Sequence, residues 1–165
     1  LLGDTVKFVS KKPFRLKVSG RTAHFINAFG EEVIVTDAEY ALQATCEALE
    51  CRLIDFHAAP CYMNDKTTGA HQWIIEFEQP PEDLEAFKME LDRNLQAQNS
   101  DYQAKRKYDL VLEPPRITAA EPGLFHQWLK EKGKLGGQNK VPRLSNNREL
   151  IAQFLTLNAS LQTRP

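Results

Sequence analysis

Arg52-Leu53-Ile54-Asp55-Phe56-His57-Ala58-Ala59-Pro60 and Gln72-Trp73-Ile74-Ile75-Glu76-Phe77-Glu78 are two apolar, aromatic and β-branched runs of strand length. Between them stands Asn64-Asp65-Lys66-Thr67-Thr68-Gly69, polar and ended by a glycine, the composition of a hairpin loop. Such a hairpin has two faces to cover, and the flanking sequence offers helices for the task. Upstream, Thr36-Asp37-Ala38-Glu39 reads as a helix start, with Thr36 as cap and Glu39 in the capping-box position. Ala38, Ala41, Leu42, Ala44, Cys46 and Leu49 then fall on one helical face, which predicts a helix over residues 37–49. Downstream, Pro80-Pro81-Glu82-Asp83 opens a second helix. Leu84, Phe87, Leu91 and Leu95 form its buried stripe, and it runs to about Ala97.

Further out, Asn99-Ser100-Asp101 reads as a loop and Tyr108-Asp109-Leu110-Val111-Leu112 as another strand. Glu113-Pro114-Pro115 interrupts that strand and Ile117 continues it. A third helix over residues 124–131 places Leu124, Phe125, Trp128 and Leu129 on one side. Gly133-Lys134-Leu135-Gly136-Gly137-Gln138-Asn139-Lys140 is a flexible Gly-rich loop. Asn146-Asn147 caps a last helix expected over residues 148–155, with a frayed tail after Asn158. At the other end, Thr5-Val6-Lys7-Phe8-Val9 and Phe14-Arg15-Leu16-Lys17-Val18 alternate like two short strands around the turn Ser10-Lys11-Lys12-Pro13. A shorter alternation over residues 24–29 leads to Gly30, read as a turn glycine that sends Glu31-Glu32 away from the sheet. The fold expected is α+β. A split β-α-β (ferredoxin-like) arrangement builds a mixed or antiparallel sheet with helices packed against it, plus a short N-terminal strand pair.

Composition excludes several functions. With 42% apolar and 26% charged residues the chain can build a core, so disorder is not expected. A formal net charge of -1 argues against a nucleic-acid partner, and Glu76 and Glu78 beside Trp73 and Phe77 would repel phosphate, so those aromatics are assigned to the core. No apolar run nears the ~20 residues of a membrane span, and no signal peptide is expected. Cys46, Cys51 and Cys61 lack zinc or disulfide spacing and read as reduced thiols of a cytoplasmic protein. His24, His57, His71 and His126 are scattered and are read as structural, so no metal site is expected. The chain opens on Leu1 rather than Met, in keeping with a fragment of a longer product.

Three stretches carry a resemblance: Gly3-Asp4, Gly20-Arg21-Thr22-Ala23-His24-Phe25-Ile26-Asn27-Ala28-Phe29-Gly30-Glu31-Glu32-Val33, and Gly136-Gly137-Gln138-Asn139-Lys140-Val141-Pro142-Arg143. Their order is that of the acyl-adenylate-forming enzymes. The last stretch, with Asn99-Ser100-Asp101-Tyr102 and Lys105-Arg106, resembles the Gretchen Hagen-3 (auxin-responsive) family of acyl acid-amido synthetases. The resemblance implies the mobile C-terminal domain of an ATP-dependent ligase, inactive without an upstream adenylation domain of the same polypeptide. A carboxylic acid would be activated as acyl-AMP and passed to the amine of an amino acid. ATP and Mg would be bound mainly by the upstream domain.

By the same resemblance Lys140 is the catalytic, nucleotide-binding cation, and Asp4 is the aspartate that accepts from the ribose hydroxyls. Arg21 would stand near ribose or phosphate; a surface arginine in a strand turn is an equal reading of it. A hinge falls within residues 11–20, with Phe14, Arg15, Lys17, Ser19 and Gly20 as its residues. The expected organisation is residues 1–19 as the upstream end, hinge and strand pair, 20–158 as the mobile domain, and 159–165 as a tail. The other reading is a free-standing α+β module that binds a small molecule or a protein without catalysis.

Overall fold

The expected hairpin is the centre of the protein. The computed structural model describes residues 4–21, 25–63, 68–136 and 139–163. β5 (Arg52–Cys61) pairs antiparallel with β6 (Ala70–Gln79), and β7 (Arg116–Ala119) pairs parallel with β6 from the other side. The order β5-β6-β7 makes β6 the central strand of a mixed sheet. Two antiparallel pairs precede it: β1 (Asp4–Lys11) with β2 (Phe14–Arg21), and β3 (Phe25–Ile26) with β4 (Val33–Ile34). The helices are α1 (Val35–Ala48), α2 (Leu84–Gln98), α3 (Ser100–Arg106), α4 (Leu124–Glu131) and α5 (Glu149–Gln162). The class is α+β, as the sequence predicts.

Side-chain alternation along β6 divides the interior. Trp73 and Ile75 face one core with Phe56, Leu42, Phe87, Leu91 and Leu95, supplied by α1 and α2. Ile74 faces the other with Phe125, Trp128, Ile151 and Phe154, supplied by α4 and α5. Both faces of the sheet are therefore buried, which is why β5 and β6 read as nearly continuous apolar runs. Trp73 stacks on Phe56, ring centroids 5.6 Å apart, which gives it the core role assigned from sequence. His57 meets the ring of Phe154 at 5.1 Å on the opposite face.

Several local expectations are corrected. Residues 99–101 do not form a loop: the Asn99 side chain accepts from the Tyr102 N–H at 2.8 Å and starts α3. The strand expected at residues 108–112 is instead a 3-10 turn at Lys107–Asp109, with Tyr108 at a φ of 61°, and only Leu112 bridges to Gly69. The cause is tertiary. Arg106 is buried and donates to Asp92 Oδ1 at 2.7 Å, to Asp92 Oδ2 at 2.8 Å and to the Leu112 carbonyl at 2.7 Å. That fork folds the chain back after α3, and β7 begins only beyond Pro114 and Pro115, which lack ladder donors. Tyr102 and Gln96 also donate to Asp92, and burial together with the Asp92 charge holds the Tyr102 phenol well above its usual range. The last helix does not fray after Asn158. Asn158 is buried, accepts from Glu121 N at 2.7 Å and donates to the Ala119 carbonyl, which ties α5 to β7 as far as Gln162.

Glu31 is the sharpest reversal. Gly30, at a φ of 87°, makes the expected turn, but only Glu32 goes to solvent. Glu31 turns inward and is fully buried. Its carboxylate accepts from Ala28 N at 3.2 Å, Phe29 N at 2.7 Å and His71 Nε2 at 2.8 Å. Burial pushes the Glu31 carboxyl up, but the His71 hydrogen bond and charge and the backbone N–H groups outweigh it, and the net shift is downward.

Two outcomes follow. Asp92→Ala leaves the buried guanidinium of Arg106 without its carboxylate and costs about 3–5 kcal/mol in urea unfolding. The depressed Glu31 carboxyl contributes stability that is fully present above the ordinary carboxylate value of about 4.3 and is lost as pH falls through its lower folded value. Unfolding midpoints measured across that acid range should fall more steeply for the native chain than for Glu31→Gln; equal slopes would exclude the assignment.

Candidate functional site

The Gly-rich lysine loop runs from α4, which is anchored to the sheet at its own start, to a seam on the edge of β5. At its start, Glu76 on β6 accepts from Gly123 N at 2.7 Å and Phe125 N at 3.3 Å, a buried carboxylate at the first turn of α4. α4 carries Trp128 against Phe154 at 5.1 Å, which fixes its roll. At its end Gly133, at a φ of 64°, reverses the chain, with Gly133 N donating to the Lys130 carbonyl and Lys134 N to the Leu129 carbonyl. Residues 137 and 138 lie outside the described residues, as does part of the expected Gly-rich motif.

The far end of the loop is held by β5. Val141 is buried in the α4–α5 core, and the Pro142 carbonyl meets His57 Nδ1 at 2.5 Å. Ala58 N donates to the Arg143 carbonyl at 2.8 Å, and Ser145 N donates to the Ala58 carbonyl at 3.1 Å. Leu144 thereby bridges parallel to Ala58, and residues 143–145 cover the outer edge of β5. Lys140 is exposed just before this seam. A shallow recess beside it is lined by Trp128, Lys132, Lys134, Asn139, Lys140 and Leu150, and no carboxylate lines it. Its charge is wholly positive, which suits an anion.

The side chain of Arg143 works on the opposite side of the seam. It forms ion pairs with Glu39 of α1 and, at 3.4 Å, with Asp55 of β5, and it lies 5.3 Å over the Phe56 ring. Glu39 thus serves Arg143. Asp37 takes the position expected of Glu39 and accepts from Ile34 N at 3.3 Å. Asp55 is pushed up by burial and by Glu76, against the opposing pull of the Phe56 N–H and Lys140. Sequence reasoning missed both acids as partners of the motif, since the Glu39–Arg143 pair spans 104 residues. Below this cluster a cleft of about 380 Å³ separates α1 from β5, with Leu42, Cys46, Cys51 and Phe56 on its floor. Burial and the adjacent Cys51 thiol push Cys46 up to about 12, so it stays a protonated thiol and a poor nucleophile. The three cysteines are free.

The remaining expected site residues lie on the N-terminal strand pair. Asp4 and Arg21 are partners in the β1–β2 register, facing each other at the open end of the hairpin. Phe14, Arg15, Lys17, Ser19 and Gly20 all lie on β2, with Phe14 and Arg15 exposed beside the closed end. Asp4 and Arg21 are therefore brought together, while Lys140 belongs to a separate element. His24 and Gly3 lie outside the described residues. Among the described residues no group of three or more His, Cys, Asp or Glu could hold a metal ion, and no helix is long and apolar enough to cross a membrane.

Two solved structures are similar in fold. One is a GH3.15 acyl acid amido synthetase, with 18% identity and a TM-score of 0.72, covering 96% of this chain and 29% of that one. The other is AtGH3.15 acyl acid amido synthetase in complex with 2,4-DB, with 19% identity and a TM-score of 0.68, covering 95% of this chain and 30% of that one. The chain thus spans about three tenths of the length of these proteins. No curated protein matches it by sequence. The family model for the GH3 family C-terminal domain matches residues 36–149, which include α1, the whole central sheet, α4 and the lysine seam, and the chain belongs to the GH3 family through that C-terminal domain.

Proposed function

We propose that this chain is the cap domain of an ATP-dependent acyl-adenylating ligase, which joins a carboxylic acid to the amine of an amino acid through acyl-AMP. An upstream adenylation domain of the same polypeptide, in the cytoplasm, would complete the active site. The observation that carries the reading is the exposed Lys140 on a loop that leaves α4, itself bonded to β6 through Glu76, and ends bonded to β5. A carboxylate is a poor electrophile, and attack on the α-phosphate builds negative charge that a positioned cation stabilises. Lysine suits the task as a compact point charge on a flexible stem.

The residues present fit a nucleotide's phosphates, since Lys132, Lys134 and Lys140 line one recess without a carboxylate. Bound ATP supplies the adenylyl group; this chain binds and orients its charge. Asp4 and Arg21, opposite each other on the strand pair, are proposed for the ribose and its neighbourhood. The hinge is proposed among Phe14, Arg15, Lys17, Ser19 and Gly20, where a few backbone dihedrals would turn the domain between half-reactions. Mg, like most contacts to ATP, is proposed to be bound mainly by the upstream domain, and among the described residues no group of three or more His, Cys, Asp or Glu could hold a metal ion.

The test is ATP–pyrophosphate exchange by the full-length protein against a library of carboxylic acids. Lys140→Ala is expected to lower exchange roughly 10²–10³-fold and to leave stability within about 0.5 kcal/mol of the parent, as for an exposed side chain. Exchange at the parental rate in Lys140→Ala would sink the reading and favour a binding module without catalysis.

A further inference from the structure

We infer that Arg143 is the positioning residue for Lys140, clamping the base of the lysine loop to α1 and β5 and so setting where the cation is presented. The inference rests on Lys140 being the adenylation cation. Three features single Arg143 out. Its backbone carbonyl accepts from Ala58 N at 2.8 Å, which makes it the first residue of the seam with β5. Its side chain reaches two carboxylates on two different elements, Glu39 on α1 and Asp55 on β5. Its guanidinium covers Phe56, a residue of the α1–α2 core. The lysine loop is thereby referred to both layers of the domain through one side chain, three residues from the charge it presents.

The chemistry demands arginine. A planar fork can address two carboxylates and an aromatic face at once, whereas an ammonium is a single point. The site is half-exposed, with 37% of the Arg143 side chain accessible, so the clamp contributes little to global stability and acts mainly on local geometry. Val141 in the core and the backbone bonds of residues 143–145 still form when the side chain is cut back, but the seam opens more often without the ion pairs to Glu39 and Asp55. Arg143→Gln therefore keeps the fold and loosens the presentation of Lys140.

A double-mutant cycle in the full-length protein tests this. Arg143→Gln, Lys140→Ala and the double variant are compared by pyrophosphate exchange, with kcat and KM for ATP separated. A displaced catalytic group costs rate, so Arg143→Gln is expected to lower kcat at least about tenfold, with Arg143→Lys recovering only part. In the Lys140→Ala background the same change is expected to cost nothing more, because Arg143 acts through Lys140. An equal fractional loss in both backgrounds, or no loss in either, overturns the clamp while leaving Lys140 in place; a silent Lys140→Ala overturns both readings. Should Lys140→Ala fall to background, amide hydrogen exchange decides. Arg143→Gln should speed exchange at Ala58 and Ser145, the two seam amides, and leave β6 and the rest of β5 unchanged, and unchanged protection at both amides overturns the inference.

Discussion

The outer edge of β5 has to be hydrogen-bonded, and the way this chain meets that requirement organises the rest. From Phe56 to Pro60 β5 is buried on both faces, so an unpaired ladder along that part of its free side would leave polar backbone in the interior. Residues 143–145 fill the position with two bonds to Ala58. Because these residues end the lysine loop and lead into α5, closing the edge also fixes where the loop ends and where the last helix begins. His57 extends the same seam by one bond to Pro142. On the other side of the sheet, β7 reaches its parallel register only because α2 and α3 carry the chain back across the face.

The crossover is held by charge as well as by packing. Asp92 accepts from Arg106, Tyr102 and Gln96, so one carboxylate ties α2 to α3 and, through Arg106, to Leu112. Glu31 does the equivalent for the β3–β4 turn by reaching His71 on β6. Each buried carboxylate would be a liability without its remaining hydrogen bonds, and in both cases backbone or side-chain donors supply them, although His71 Nδ1 has no partner among the described residues. Neither pair faces the lysine recess. They hold the frame and leave the loop's lysines to the acids of the seam, of which Asp55 feels the Lys140 charge.

Legibility in the sequence follows the range of the determining interaction. α4 was readable because its apolar side, Leu124, Phe125, Trp128 and Leu129, is a local pattern followed directly by a Gly-rich loop. The hairpin β5–β6 was readable for the same reason. Residues 108–112 misled because their alternation is strand-like while Arg106, bonded to Asp92 in another helix, decides the local path. Glu31 misled because a glutamate after a turn glycine looks solvated, and its histidine partner stands 40 residues away. At the candidate site Lys140 was visible as part of a motif. The role of Arg143 was not, because its meaning lies in Glu39 and Asp55.

The two anchors of the lysine loop also limit what the loop can do by itself. Lys140 lies three residues before the Arg143 seam, and a fully extended chain covers at most about 3.3–3.6 Å per residue. Backbone rearrangement alone therefore carries Lys140 only about 10 Å from the sheet edge while the seam holds, and only about 4 Å from Val141 while that residue stays in the core. Any larger approach to a partner domain has to move the sheet with it. That assigns separate tasks to separate parts of the chain. On the proposed reading, local loop freedom would adjust the cation within reach of the anchored seam, and rigid-body rotation about the β2 segment, where the hinge is proposed, would supply the distance. A clamp at Arg143 serves this division, because a cation delivered by rigid-body motion arrives only as accurately as its base is held.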